Sequence, residues 1–237
     1  MDSVGRNVET TRTKQRDFAR YMLSVIAGHI RLDRIQSVLD VGCGYGETLA
    51  VVGQAVSKYG EVSLYGVEPS TEARLHAKDV CTLVGAVNED LIGFDRPSDL
   101  IIMSHVLEHM ADPVSMLQLL KSKLAPGAYL ALEVPNYFCH PSTDIAHFFL
   151  FSAESLSNTI ARAGLELVAL YASDHATTTR PAYLTAIAKD GPAADMQPMS
   201  PSEVVRRRSE AVDRWPGYTR PRRARQFAKQ LLRYMGR

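Results

Sequence analysis

The chain has 237 residues, and 46% of them are hydrophobic, which is enough to bury the core of one large domain. Its 27 basic and 26 acidic residues nearly balance, so the net charge of +1 gives no sign of a nucleic-acid-binding or strongly acidic protein. Three scattered cysteines do not make a disulfide framework, and no segment approaches the roughly 18 apolar residues of a membrane span. We therefore expect a cytoplasmic protein without an export signal or a membrane anchor.

The first predicted element is a helix from about Lys14 to Ile30. Its apolar residues recur at helical spacing and include Phe18, Met22, Val25 and Ile26. We expect this helix to cap the main domain or to cover a bound cofactor. The chain is accordingly divided into a helical cap at 1–36, a central domain at 37–190 and an extension at 191–237.

The central domain alternates between apolar runs of strand length and stretches with helical spacing. This alternation is typical of an α/β fold with a mainly parallel sheet that is covered by helices on both faces. The predicted strands are Ser37–Val41, Val62–Val67, Cys81–Val84, Leu100–Met103, Tyr129–Val134, Leu167–Tyr171 and Tyr183–Ala188. The predicted helices are Glu47–Tyr59, Glu72–Lys78, Pro113–Leu124 and Ala153–Ala163.

The extension begins with a proline-containing linker and carries a concentrated positive charge. From Gly191 onward there are 11 Lys or Arg and 4 acidic residues, which gives this part about +7 and leaves about −6 for the rest. The spacing predicts two basic helices, Glu203–Arg214 and Arg222–Met235. The apolar face of the second is expected to pack on its own domain or across a homodimer, and peripheral contact with an anionic membrane is an alternative. Nucleic acid is disfavoured, because no base-stacking aromatic pattern accompanies the arginines.

The clearest motif is VLDVGCGYG at residues 38–46, where a strand runs into a glycine-rich turn and then a helix. Glycine lets the backbone turn sharply and lie close to a ligand. The spacing is G-x-G-x-G rather than the G-x-G-x-x-G of dinucleotide sites, and Asp40 precedes it, which favours S-adenosylmethionine over NAD. Glu68 ends the next strand, where a carboxylate can accept both ribose hydroxyls. The alternative is a tight structural turn and a solvated Glu68.

Together with YGVEPS, SDLIIMSHVLEHMADP and LAPGAYLALEVPN, this motif resembles the class I, Rossmann-like methyltransferase family from about Val38 to Ala188. The resemblance implies a seven-stranded sheet with a reversed final hairpin and S-adenosyl-L-methionine as cofactor. The VLEHMADP, EVPN and HFFLFS segments are similar to bacterial sugar and polysaccharide O-methyltransferases. The cofactor contacts implied by the family pattern are Asp40, Gly42, Cys43, Gly44, Glu68, Pro69, Ala86, Val87, Ser104 and His105.

A hydroxyl acceptor needs a base to remove its proton during methyl transfer, and three histidines are candidates. His140 lies in an irregular loop beyond the fifth strand, His147 precedes an aromatic run, and His109 lies in a Leu-Glu-His pattern after the fourth strand. The alternatives are structural: His140 could cap a turn or face solvent, and His147 and His109 could simply pack against the domain. The stretch from His105 to His109 also resembles the E-x-x-E-H cluster of ubiquinone-pathway O-methyltransferases, but a histidine replaces its first acid. A divalent metal is therefore an open alternative, because the usual first oxygen ligand of this cluster is missing.

These observations predict an O-methyltransferase that acts on a hydroxyl of a sugar, glycan or glycolipid precursor, with a histidine as general base. The same scaffold can methylate a phenol, quinone, carboxylate or carbon acid, so these acceptors are the first alternative. A cofactor-binding regulatory protein without catalytic activity is the second. An NAD-linked dehydrogenase is disfavoured by the spacing of the glycines.

Overall fold

The computed structural model describes residues 3–86, 88–139, 146–173, 181–192 and 199–214. Within these ranges seven strands form one sheet. They are β1 (Ser37–Val41), β2 (Ser63–Val67), β3 (Thr82–Gly85), β4 (Ser98–Ser104), β5 (Leu124–Pro135), β6 (Leu165–Ser173) and β7 (Tyr183–Asp190). Their spatial order is β3-β2-β1-β4-β5-β7-β6. The first five strands are parallel, and β7 runs antiparallel to both β5 and β6, so the predicted fold class is confirmed.

The described helices are α1 (Ser3–His29), α2 (Glu47–Val56), α3 (Thr71–Ala77), α4 (Pro113–Lys121), α5 (Ala153–Arg162) and α6 (Pro201–Arg214). Side-chain caps define where several of them begin. Ser70 and Asp112 accept the backbone N–H groups of the first turns of α3 and α4, and Ser152 forms a capping box at α5. These caps fix the residue at which each of the three helices begins.

The hydrophobic core lies on both faces of the sheet. On one face, α1 and α2 pack over the strands, and the fully buried Ile26, Leu49 and Ile102 lie in this layer. On the other face, α4 and α5 cover the sheet, with Leu117 and Ile160 fully buried. The N-terminal helix therefore contributes to the same core as the sheet rather than lying on its surface.

Three predicted boundaries are wrong for identifiable physical reasons. The first helix begins at Ser3 rather than near Lys14, because its polar first turns carry no apolar repeat to reveal them. The predicted helix Pro113–Leu124 ends at Lys121, and Leu124 already belongs to β5. Strand β5 starts at Leu124 because this residue already pairs with Ser98 of β4. The register then shifts before Tyr129 pairs with Leu100, and Gly127, with a φ of 78°, lies in this irregular stretch.

The first basic helix of the extension, α6, packs on the domain. Arg207 forms an ion pair with Glu154, and Arg208 donates to the Tyr137 carbonyl and lies 5.0 Å above the Tyr137 ring. The second predicted helix, Arg222–Met235, and the centre of the linker lie outside the described residues. Among the described helices, none has the length and apolar character to cross a membrane.

Candidate functional site

A cavity of about 630 Å³ opens at the carboxyl ends of β1, β2 and β4. Ligands of open α/β sheets bind at this edge, in the crevice where the strand order reverses. Here the reversal lies between β1 and β4, because β2 and β3 continue to one side of β1 and β5 to the other. The position of the cavity therefore follows from the topology of the sheet.

The glycine-rich turn forms the floor of the cavity. Gly42, Gly44 and Gly46 all have positive φ, at 80°, 53° and 83°, which side chains of other residues rarely allow. The N–H groups of Gly42 and Cys43 both donate to the Val67 carbonyl, at 2.8 and 3.0 Å, and so tie the turn to the end of β2. Gly42 and Gly44 line the cavity, so a ligand there meets bare backbone.

Two acids stand behind this turn and differ in their access to the cavity. Glu68 lines it, and its carboxylate accepts the N–H groups of Gly44 at 2.8 Å and Ser70 at 2.7 Å, which leaves lone pairs on both oxygens for a ligand. Asp40 is 2% exposed and does not line the cavity. Burial, together with the charge of Glu68, raises the pKa of Asp40 to about 7.

Helix α1 covers one side of the cavity through Gln15. Gln15 Oε1 is buried and accepts no hydrogen bond from the described residues, so the cavity contains an acceptor that still needs a donor. The helix is fastened by Arg12 and Arg16, whose guanidinium groups lie 2.6 and 2.9 Å from the carboxylate oxygens of Glu47. Burial opposes the ionisation of Glu47, but the two arginines outweigh it and lower the pKa of this carboxyl.

The wall after β4 carries an unusual backbone and a buried charge cluster. His105 has a φ of 56°, which is rare for a residue with a side chain, and its ring lies 3.5 Å from Glu108 Oε1 and 3.3 Å from Glu133 Oε1. Burial disfavours the charged imidazole, but the two carboxylates outweigh that cost and raise the pKa of His105 to about 10. His105 also packs between Phe18 of α1 and Tyr183 of β7, so the helix and the sheet meet at this wall.

The next residues bring two of the candidate bases together. His109 lines the cavity, and its Nδ1 lies 2.9 Å from the Ala146 carbonyl. A carbonyl oxygen can only accept, so Nδ1 carries a proton, and Nε2 is the ring nitrogen left for another partner. The His147 ring meets the His109 ring edge-on with 4.7 Å between their centroids. The segment that supplies His147 is held by the Phe149 N–H, which donates to the Glu108 carbonyl at 3.1 Å.

Most of the residues expected at the site converge on one cavity. The lining includes the predicted Gly42, Gly44, Glu68, Pro69, Ala86, Ser104, His105 and His109. Asp40, Cys43 and His147 do not line it, and the buried Cys43 packs under the turn instead. His140 and Val87 lie outside the described residues.

The cavity is also lined by residues that were not predicted from the sequence, among them Gln15, Tyr45, Ser70 and Met110. Tyr45 and Ser70 flank the recognised motifs, so proximity along the chain is a signal that could have found them. Gln15 carries no such signal, because only the packing of α1 brings it to the glycine turn. Between β4 and α4, Leu107–His109 forms a single 3-10 turn.

Comparison with known proteins gives one family match and several partial relatives. Residues 12–170 match the sequence model of a family described as a methyltransferase domain. A trans-aconitate 2-methyltransferase of Azoarcus sp. (strain BH72) is 29% identical over 119 residues, which are 49% of this chain and 46% of the relative. A ubiquinone biosynthesis O-methyltransferase of Aliivibrio fischeri (strain MJ11) is 32% identical over 108 residues, 43% of this chain and 44% of the relative. The chain thus spans about half the length of these curated relatives.

Solved structures share the fold at low sequence identity. An S-adenosylmethionine-dependent methyltransferase from Clostridium acetobutylicum ATCC 824 aligns with a TM-score of 0.56 and 11% identity, over 74% of this chain and 91% of that protein. The architecture is therefore the one that such methyltransferases use.

Proposed function

The chain belongs to the methyltransferase-domain family, and on that basis we propose that it transfers a methyl group from S-adenosylmethionine to an acceptor oxygen. The observation that carries the choice of oxygen is the position of His109 on the cavity wall, with Nδ1 held 2.9 Å from the Ala146 carbonyl. A group with a free basic nitrogen at this place can take the proton of a hydroxyl as the new bond forms.

Several groups of the cavity support this proposal. S-adenosylmethionine, when bound, supplies an electrophilic methyl group on its sulfonium. The remaining lone pairs of Glu68 can accept the ribose hydroxyls, and the orphaned Gln15 Oε1 can accept an N–H or O–H of the same ligand. The bare backbone at Gly42 and Gly44 allows close approach. Asp40 is buried at the end of β1 and does not line the cavity, so we assign it no direct contact with the ligand.

The choice of acceptor class rests on whether the acceptor must lose a proton to a base such as His109. A sugar hydroxyl is barely ionised near neutral pH, so its reaction depends on proton removal, whereas a carboxylate is already ionised and gains nothing from a base. We therefore favour a hydroxyl of a sugar, glycan or glycolipid precursor, with His109 as the base. The His147 ring lies edge-on against the His109 ring, with 4.7 Å between their centroids, and in this proposal it orients His109. His140 stays an alternative base from the sequence alone.

A second candidate is a carboxylate or phenol of a small metabolite. The names of the two relatives favour it, since one refers to trans-aconitate and the other to ubiquinone synthesis. A phenol would use the same base as a sugar, although it loses its proton more readily. The two candidates therefore differ in how strongly the rate depends on His109.

The experiment is a methyl-transfer assay with S-adenosylmethionine labelled in its methyl group and three panels of acceptors: sugars and glycans, phenols, and di- and tricarboxylates. We expect labelled product with a hydroxyl acceptor and a loss of about 10²- to 10⁴-fold in rate for His109→Ala. The matched control is His29→Gln, which removes an imidazole paired with Tyr171 away from the cavity. Transfer only to phenols or carboxylates would contradict the sugar acceptor and select the second candidate. A rate that His109→Ala leaves unchanged would contradict His109 as the base.

A further inference from the structure

Three potential metal ligands from two separate segments meet beside the cavity. Glu108 and His109 follow β4, and His147 comes from a segment almost 40 residues further along the chain. One ligand atom of each lies within 4.8 Å of the others. We propose that Glu108, His109 and His147 form a binding site for a divalent transition-metal ion.

The first observation in favour of the site is that the carboxylate of Glu108 is buried and accepts no hydrogen bond from the described residues. Its side chain is 1% exposed. Its nearest titratable neighbours are the rings of His105, an ion-pair partner at 3.5 Å, and of His109 at 4.0 Å. His105 offsets part of the charge of Glu108, but both carboxylate oxygens still lack hydrogen-bond donors among the described residues, and a bound cation would satisfy them.

The two imidazoles are oriented as metal ligands usually are. His109 donates from Nδ1 to the Ala146 carbonyl at 2.9 Å, which fixes the ring and leaves the Nε2 lone pair as the donor atom. A backbone carbonyl in this role is the common outer-shell partner of a metal-binding histidine. His147 Nδ1 is buried and has no hydrogen-bond partner among the described residues. The Phe149 N–H to Glu108 carbonyl bond keeps the two segments together.

The donor set decides the class of metal. Two imidazole nitrogens and one carboxylate oxygen suit Zn²⁺, Co²⁺, Mn²⁺ or Fe²⁺, whereas Mg²⁺ and Ca²⁺ prefer oxygen ligands alone. The position of the first acid in the E-x-x-E-H pattern is taken by His105, so this set differs from that pattern in using His147. Three protein ligands leave coordination positions open, and because His109 lines the cavity these positions can face an acceptor.

The chemical role of the ion rests on the proposed function, whereas its binding does not. A bound ion would occupy the lone pairs of His109 and His147, so these residues would be ligands and not the general base in the loaded protein. The ion itself would provide the positive charge that favours an ionised acceptor oxygen. Loaded and metal-free protein therefore activate the acceptor in different ways.

The test uses the full chain without an affinity tag, stripped with a chelator and titrated with Co²⁺. We expect one Co²⁺ per chain with visible absorption bands from nitrogen and oxygen ligation, and competition by Zn²⁺ at about equimolar concentration but not by a large excess of Mg²⁺. His147→Ala and Glu108→Gln should each weaken binding by more than about tenfold, and His29→Gln should leave it unchanged. Glu108→Gln keeps the shape of the side chain, so it guards against an effect of misfolding.

Two outcomes overturn the site: absence of stoichiometric Co²⁺ binding, or binding that persists in both His147→Ala and Glu108→Gln. Titration of the same samples with S-adenosylhomocysteine separates the two proposals. If the cofactor product binds and the metal does not, only the metal site fails. If the metal binds and S-adenosylhomocysteine does not, the proposed methyl transfer fails while the metal site stands.

Discussion

Replacing Gly42 by alanine tests how the cofactor turn is built. Gly42 has a φ of 80°, so any side chain there is strained by about 1–2 kcal/mol. The new Cβ would also overlap Val106 Cγ2, and a β-branched valine cannot easily rotate away. Overpacking of this kind costs about 1–3 kcal/mol. Gly42→Ala should therefore lower the free energy of unfolding by about 2–5 kcal/mol, measured by urea denaturation followed by far-UV circular dichroism.

Gly127 offers a control with the same backbone strain and no overlap. Its φ is 78°, and a Cβ there would meet nothing within 4 Å, so Gly127→Ala should cost only the strain of about 1–2 kcal/mol. Adding Val106→Ala to Gly42→Ala should recover the overpacking part, which a double-mutant cycle measures directly. Two results would contradict the predicted overlap with Val106: a loss of unfolding free energy in Gly42→Ala no larger than in Gly127→Ala, or a double-mutant cycle without coupling between Gly42 and Val106.

Two further predictions concern buried acids. Asp40 has a pKa of about 7 when folded against 3.8 ordinarily, so only the unfolded chain releases this proton between about pH 4 and 7, and the free energy of unfolding falls by up to about 1.4 kcal/mol per pH unit in that window. Asp40→Asn should remove this fall, so the variant should be more stable than wild type at pH 8 but not at pH 4. If urea denaturation gives both proteins the same pH dependence of the free energy of unfolding, the prediction is wrong. Glu47→Gln should loosen α1, speed hydrogen exchange of its amides and weaken S-adenosylhomocysteine binding by about three- to tenfold, whereas Asp17→Asn, which breaks an exposed pair with Arg20 on the same helix, should change neither.

The sheet is predictable from the sequence because its strands are short apolar runs closed by turn residues. Strand β1 begins and ends where the pattern places it, since Ser37 and the glycine turn bound it on both sides. Strand β5 is twice as long as predicted, because Gly127 reads locally as a terminator while the pairing with β4 carries the strand through it. Tertiary pairing thus overrides the local signal at this position.

The candidate site divides along the same line. The glycine turn and Glu68 are recognisable because their chemistry is written within single short segments. The proximity of His109 and His147 is not recognisable from the sequence. It depends on hydrogen bonds between two segments far apart in sequence, from His109 to the Ala146 carbonyl and from the Phe149 N–H to the Glu108 carbonyl. Gln15 reaches the cavity only through the packing of α1, whose anchoring arginines resemble any solvated helix face in the sequence.

The most direct test of the central claim is calorimetric titration of the protein with S-adenosylhomocysteine, beside an NAD titration and the variants Glu68→Ala and Glu72→Ala. We expect wild type to bind S-adenosylhomocysteine and not NAD. Glu68→Ala should lose about 10- to 100-fold in affinity, because it removes a buried acceptor from the cavity, and the exposed Glu72→Ala should bind like wild type. Absence of S-adenosylhomocysteine binding, or equal affinity of wild type and Glu68→Ala, would contradict the assignment of this cavity to the methyl donor.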